Sequence, residues 1–274
     1  MIPLYDLNPH RRIPWLTVLI IGANVVAMLW LYQLPGAAPD KLDKLEVIAR
    51  YGFVPERMRQ LSDPNLVVKV RFPVADAPVV RRGAAPAFRT VSLPARRGQI
   101  LGSMFTMMFL HGGWFHLIGN MWFLWLFGNN IEDRLGHVVF GVFYVLGGLL
   151  ALACHWIAQP TSTLPVIGAS GAVAAVLGAY AITFPAAKVR TLVFIGIVML
   201  VDLPALLVLG VWFFAQMLQG VGALQGGMHN SVAWWAHVGG FVAGIALMPL
   251  LALGAPPPDE DWQKDIGDLF RVDR

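Results

Sequence analysis

Residues 138–157 read Val-Val-Phe-Gly-Val-Phe-Tyr-Val-Leu-Gly-Gly-Leu-Leu-Ala-Leu-Ala-Cys-His-Trp-Ile, without one acidic or basic (Lys, Arg) side chain. About 20 apolar residues in a helix cross the hydrocarbon core of a bilayer. The stretch therefore predicts a membrane span. Similar runs flank it at 13–34, 114–131, 170–185 and 232–253. A longer apolar stretch, 191–218, is interrupted by Asp202-Leu203-Pro204. Asp before Leu-Pro reads as an N-cap with Pro in the first turn. The fifth span is expected at about 203–220, with 191–201 at the membrane interface. The predicted fold class is an all-α membrane protein, a bundle of six transmembrane helices with an external loop insertion.

Composition agrees. Of 274 residues, 57% are hydrophobic and 13% charged, against about 25% charged in an average soluble domain. Mean hydropathy is +0.63. These values exclude a water-soluble globular enzyme, a disordered chain and a nucleic-acid binder. Cys154 is the one cysteine, which excludes a disulfide framework.

Charge gives the orientation. Of 20 Lys and Arg, Arg11 and Arg12 precede the first run and twelve lie in residues 35–100. Arg134 follows the second run, Lys188 and Arg190 the fourth, and Lys264, Arg271 and Arg274 lie in the tail. The connections 158–169 and 221–231 carry none. An internal N-terminus places every short basic connection in the cytoplasm and both uncharged ones outside. The loop 35–100 is long, and long loops cross largely regardless of charge. The expected plan is a cytoplasmic N-terminus (1–12), a first membrane helix (13–34), an external loop with a small insertion (35–113), a core of five further helices (114–254) and an acidic cytoplasmic tail (255–274). The first run is too long for a cleaved signal and is expected to be a retained anchor. Within the loop, 42–51 has helical spacing and 67–74 and 88–93 read as strands.

Hydrogen-bonding groups inside spans are costly and are functional candidates by default. His116, Asn120, His155, Ser170 and His237 stand out, with His111 just before the second span. In the expected orientation Ser170, His237, His116 and Asn120 fall at similar depth near the outer face. Ser170, Ala174 and Gly178 share one helix face, and Ala236, Gly240 and Gly244 flank His237. Small residues at this spacing let membrane helices approach closely. A Ser–His hydrogen bond follows, the minimum for an activated nucleophile. Ser170 opens its helix, where backbone N–H groups are free, and His116 and Asn120 share a face one turn apart. These groups could serve a developing oxyanion. No carboxylate lies near to orient His237, so a dyad is expected. His111, His155 and Cys154 read as structural.

Three motifs stand on the second, fourth and sixth spans: His111-Gly112-Gly113-Trp114-Phe115-His116-Leu117-Ile118-Gly119-Asn120, followed by Glu132-Asp133-Arg134-Leu135-Gly136; Gly168-Ala169-Ser170-Gly171; and Ala236-His237-Val238-Gly239-Gly240-Phe241, ending at Gly244. Together they resemble the motifs of the rhomboid intramembrane serine proteases. The likeness covers about 101–250. It implies a six-helix core and cleavage of transmembrane protein substrates near their external ends. It implies Ser170 as nucleophile and His237 as base. His116, Asn120 and the Ser170 backbone N–H would form the oxyanion site, with Gly168, Gly171, Gly240 and Gly244 in support. Glu132 and Arg134 resemble the family's structural pair. No metal or cofactor is implied, and the partners are substrate helices and the lipid bilayer. Ala174 stands where many members carry an aromatic that supports the histidine, leaving Trp235 and Phe241 as candidates for that support. Chain length and core point to a bacterial inner membrane.

Rival readings are weaker. A zinc site lacks His-Glu-x-x-His and an outer carboxylate. An aspartyl protease needs two membrane carboxylates, and only Asp202 is near a span. A transporter favours polar groups at the midplane and inverted repeats. A catalytically inactive rhomboid-like membrane binding or quality-control protein is the main alternative.

Overall fold

Backbone polar groups in lipid must be bonded within the chain, which favours helices where the sequence is uncharged and apolar. A computed structural model describes residues 1–9, 11–34, 43–73, 88–194, 196–224 and 233–253. Its elements, in order, are β1 (Ile2–Asp6), α1 (Trp15–Gln33), α2 (Lys44–Tyr51), a 3-10 turn (Pro55–Leu61), β2 (Val68–Pro73) and β3 (Phe88–Leu93). Then follow α3 (Arg97–Thr106), a second 3-10 turn (Met107–Phe109), α4 (Trp114–Leu135), α5 (His137–Ala158), α6 (Ser170–Thr183), β4 (Lys188–Phe194), β5 (Val198–Pro204), α7 (Ala205–Leu224) and α8 (Trp234–Leu251). Helices α1, α5 and α8 are long and apolar enough to cross a membrane. Helix α6 and residues 205–219 of α7 are shorter apolar helices. The protein is an integral, multi-pass membrane protein. The expected tail, 255–274, and the connection 225–232 lie outside the described residues.

The chain forms two units: residues 1–22, 118–155 and 170–274, and residues 23–117 and 156–169. In the first, α6 is the central helix, with every residue from Gly171 to Ala181 buried. Its Gly and Ala surface lets α8 come to backbone contact. A Cβ on Gly178 would collide with the Phe241 carbonyl, and one on Gly240 with the Gly171 carbonyl. These are the small-residue faces expected from the sequence.

Two corrections concern the stretch before α7. The fold is not all-α, because β1, β4 and β5 form a three-stranded antiparallel sheet in the order β1-β4-β5. Residues 191–194 and 198–201 are therefore paired strands, a secondary structure the expected interfacial placement did not specify. Val189, Thr191, Val193, Val198 and Val201 supply β-branched side chains that suit a pleated ladder. Gly196, at φ +84°, makes the turn with a backbone that only glycine adopts at little cost. Asp202 is not an N-cap. It sits opposite Arg190 in the register and accepts from its Nε and Nη2 at 2.8 and 3.0 Å. That guanidinium holds the Asp202 carboxyl below its usual range.

Polar anchors fix the termini of this unit. Buried Asp6 accepts from the Tyr180 hydroxyl at 2.7 Å, Asn130 Nδ2 at 2.5 Å and the Asn8 backbone N–H at 3.0 Å. Glu132, 1% exposed, accepts from the backbone N–H groups of Leu16 and Thr17 at 2.8 Å each and from Thr17 Oγ1 at 2.7 Å. It thus caps the free N–H groups of the first turn of α1. Its fourth contact is His137 Nδ1 at 2.5 Å. Glu132 is a helix cap.

The second unit contains the described residues of the loop insertion, which form a helix, a 3-10 turn and two strands. Helix α2 is capped by Asp43, whose carboxylate accepts from Glu46 N at 2.8 Å. Strands β2 and β3 form an antiparallel hairpin, Val68 opposite Leu93 and Val70 opposite Val91. Their inward side chains pack with Ala49 and Val54 in a small apolar core. The charges Lys69 and Arg71 alternate outward, a half-buried pattern. Arg57 is buried beneath, donating to Gln60 at 3.2 Å and Gln99 at 3.0 Å. The hairpin corresponds to the strands expected within the loop.

Candidate active site

Ser170 is the first residue of α6 and His237 lies in the first turn of α8. The contact between these helices brings Ser170 Oγ within 2.8 Å of His237 Nε2. The glycines make this approach possible. Cβ atoms on Gly240 or Gly244 would overlap α6 carbonyls, while one on Gly171 would stand 2.8 Å from Ala151 Cβ of α5. Gly168, at φ +121°, holds the turn before α6, and its N–H donates to the Met107 carbonyl at 2.9 Å.

The imidazole is held from α7, a helix the sequence reading did not connect with the site. Trp212 faces the ring with centroids 6.1 Å apart at 35°, and Trp234 meets it edge-on at 5.8 Å and 89°. Phe241 stands behind Trp212, 6.2 Å from it, and stacks on Phe213 at 4.6 Å. Trp212 and Trp234 therefore take the part expected of Trp235 or Phe241. Ala174 is buried against α8 and offers His237 no ring. Gln216 Oε1 lies 2.6 Å from His237 Nδ1. Gln216 is a polar residue in an apolar run, the criterion that singled out the other candidates.

His116 and Asn120 stand one turn apart on α4. Asn120 is 8% exposed, and its Nδ2 has no hydrogen-bond partner among the described residues. A buried donor left open is costly. His116 is exposed, its ring packed edge-on against His111 at 5.0 Å. His111 is fully buried, and its Nε2 accepts from the Ala169 N–H at 3.5 Å. His155 is buried in α5.

A Ser hydroxyl on an imidazole nitrogen, at a helix N-terminus between closely packed membrane helices, is the arrangement of an activated nucleophile. Residues 98–253, more than half of the chain, match the family model described as the Rhomboid domain. The chain is 28% identical over 182 residues to "RHOMBOID-like protein 5" of Arabidopsis thaliana, covering 63% of this chain and 53% of that one. It is 27% identical over 174 residues to "RHOMBOID-like protein 6, mitochondrial" of the same plant, covering 60% and 50%. It is 36% identical over 99 residues to "Rhomboid protein 1, mitochondrial" of Saccharomyces cerevisiae, covering 35% and 28%. The chain thus spans about half, or less, of the length of these curated relatives, which are eukaryotic and do not single out a bacterial type. From the matched region and the Ser170–His237 geometry, the chain belongs to the rhomboid family.

Proposed function

We propose that the protein is an intramembrane serine endopeptidase that hydrolyses peptide bonds in or near transmembrane segments of other membrane proteins. The hydrogen bond between Ser170 Oγ and His237 Nε2 carries this reading. Neutral His237 accepts the Ser170 proton as Oγ attacks the scissile carbonyl carbon. The resulting oxyanion receives hydrogen bonds from Asn120 Nδ2, His116 and the Ser170 backbone N–H. As the intermediate collapses, the imidazolium gives its proton to the leaving amine. Water then hydrolyses the acyl-enzyme with the same base. Gly168, Gly171, Gly240 and Gly244 support the site by fixing the turn and the helix approach.

The membrane plan belongs to the same proposal. All six helices α1 and α4–α8 span, with both termini cytoplasmic, the 35–113 loop external, a 114–254 core and a 255–274 cytoplasmic tail. A bacterial inner membrane is the location suggested by the chain itself, while two of the relatives bear mitochondrial names. A helical peptide bond is shielded by its own ladder, so substrates with Gly, Pro or small residues near the outer end of the segment are expected. An inactive relative would have no use for a hydroxyl aimed at an imidazole nitrogen.

The test is labelling of the detergent-purified protein by a fluorophosphonate, beside Ser170→Ala and His237→Ala, followed by cleavage of a transmembrane reporter. Labelling and cleavage lost in both variants support the proposal. A folded wild type that neither labels nor cleaves overturns it in favour of the inactive relative.

A further inference from the structure

Neutral imidazole carries one proton, and which nitrogen holds it decides whether the ring can act as a base. For Ser170 the lone pair must be on Nε2, the nitrogen 2.8 Å from its Oγ. The proton must then sit on Nδ1. Nothing in a dyad alone dictates this choice. In this chain Nδ1 faces Gln216 Oε1 at 2.6 Å. A carboxamide oxygen accepts and cannot donate. One proton arrangement satisfies all three groups: Nδ1–H donates to Gln216, and the Ser170 O–H donates to Nε2. The reverse amide orientation would direct an N–H at Nδ1, move the proton to Nε2 and leave Ser170 without a base.

We propose that Gln216 is the positioning residue of this site, holding His237 in the Nδ1–H tautomer that makes it a base for Ser170. The inference rests on the protease reading above. Placement supports it. Gln216 lies one turn beyond Trp212 on α7, so the same helix face supplies a ring against the imidazole and an acceptor at its Nδ1. Trp234 closes the edge. Together these contacts fix the tilt of the ring and disfavour its half-turn flip, which would set a carbon against Gln216. A neutral acceptor also suits the location. A carboxylate in that place would have to be desolvated among membrane helices, whereas an amide orients the proton without a charge. When His237 takes the Ser170 proton, Nδ1–H still donates to Gln216, and the bond strengthens because the donor is now cationic.

The test uses the full chain in detergent with 15N-labelled histidine, His237→Ala assigning the signal. Wild type is expected to show a protonated Nδ1 and a pyridine-like Nε2 at His237. Gln216→Met keeps the length and removes the acceptor. It should lose the single tautomer and slow fluorophosphonate labelling of Ser170 roughly 10- to 100-fold, with little change in melting temperature. Gln216→Glu is an acceptor only once ionised, so it should restore the tautomer and most of the rate as pH rises, at some cost in melting temperature. Mere packing would make Met the better replacement and leave the nitrogen signals unchanged. A Met variant with wild-type tautomer and rate overturns the proposal, as does a wild-type His237 protonated on Nε2. A wild type with the Gln216-dependent tautomer that never labels sinks the protease reading and leaves the positioning role standing.

Discussion

Gly244 of α8 rests directly on the Ala175 carbonyl of α6, with no room for a Cβ between them. Gly244→Ala must push the helices apart or displace that carbonyl. Overpacking of this kind costs about 1–3 kcal/mol, and it acts on the contact that sets the Ser170–His237 distance. Thermal unfolding in detergent should show the loss, with labelling reduced in parallel. Gly210→Ala, where a new Cβ meets nothing within 4 Å, should unfold like wild type or slightly later.

Asn120 offers a buried, open donor. If it serves the oxyanion, Asn120→Ala should lower kcat for a transmembrane reporter by about 100-fold or more. KM should change little, because the donor matters most when charge develops. Equal effects on kcat and stability would assign Asn120 to packing instead.

Glu132 caps α1 through three bonds from Leu16 and Thr17. Glu132→Ala leaves those donors buried and unpaired and should cost about 2–4 kcal/mol in unfolding. Thr17→Val removes one of the three and should cost about 1 kcal/mol. Guanidinium or urea titration in mild detergent, reading Trp fluorescence, would separate the two.

Asp6 gives a pH dependence. Burial pushes its carboxyl up to about 6, against the pull of hydrogen bonds from Asn8, Tyr180 and Asn130. A carboxyl raised on folding binds its proton more tightly in the native state. The stabilisation is complete below about pH 4 and fades as pH rises through about 6. The two-unit rise corresponds to at most about 3 kcal/mol. Asp6→Asn should remove this part of the pH dependence, so that wild type and variant converge at one end of a pH 4–7 melting series. Parallel curves would show that Asp6 does not titrate there.

The helices and the dyad were legible because lipid imposes a severe rule on sequence. Uncharged runs near 20 residues have few other uses, and Ser170 and His237 stand out inside them. The outer hairpin was legible too, since Val68 and Val70 alternate with Lys69 and Arg71. The sheet was hidden by the same rule. Residues 191–201 are apolar enough to join the span that follows, and hydropathy does not distinguish an apolar strand from an apolar helix. Its partner, Ile2–Asp6, lies near the far end of the chain, where no local pattern refers to it. The capping part of Glu132 was hidden because three of its bonds come from Leu16 and Thr17, more than a hundred positions away. Gln216 was within reach of the polar-residue criterion but lacked a motif to draw attention to it.

The pairing of β1 with β4 sets an order of assembly. Residues 2–6 leave the ribosome long before their ladder partners at 189–192, which emerge only after α1, α4, α5 and α6 have been synthesised. The N-terminal segment must therefore wait, unpaired, through most of translation. Such long-range pairing is slow to form. Maturation should end with the leading segment captured by the β4–β5 hairpin, so a bulky fusion before Ile2 would delay completion of the fold more than one placed after residue 253.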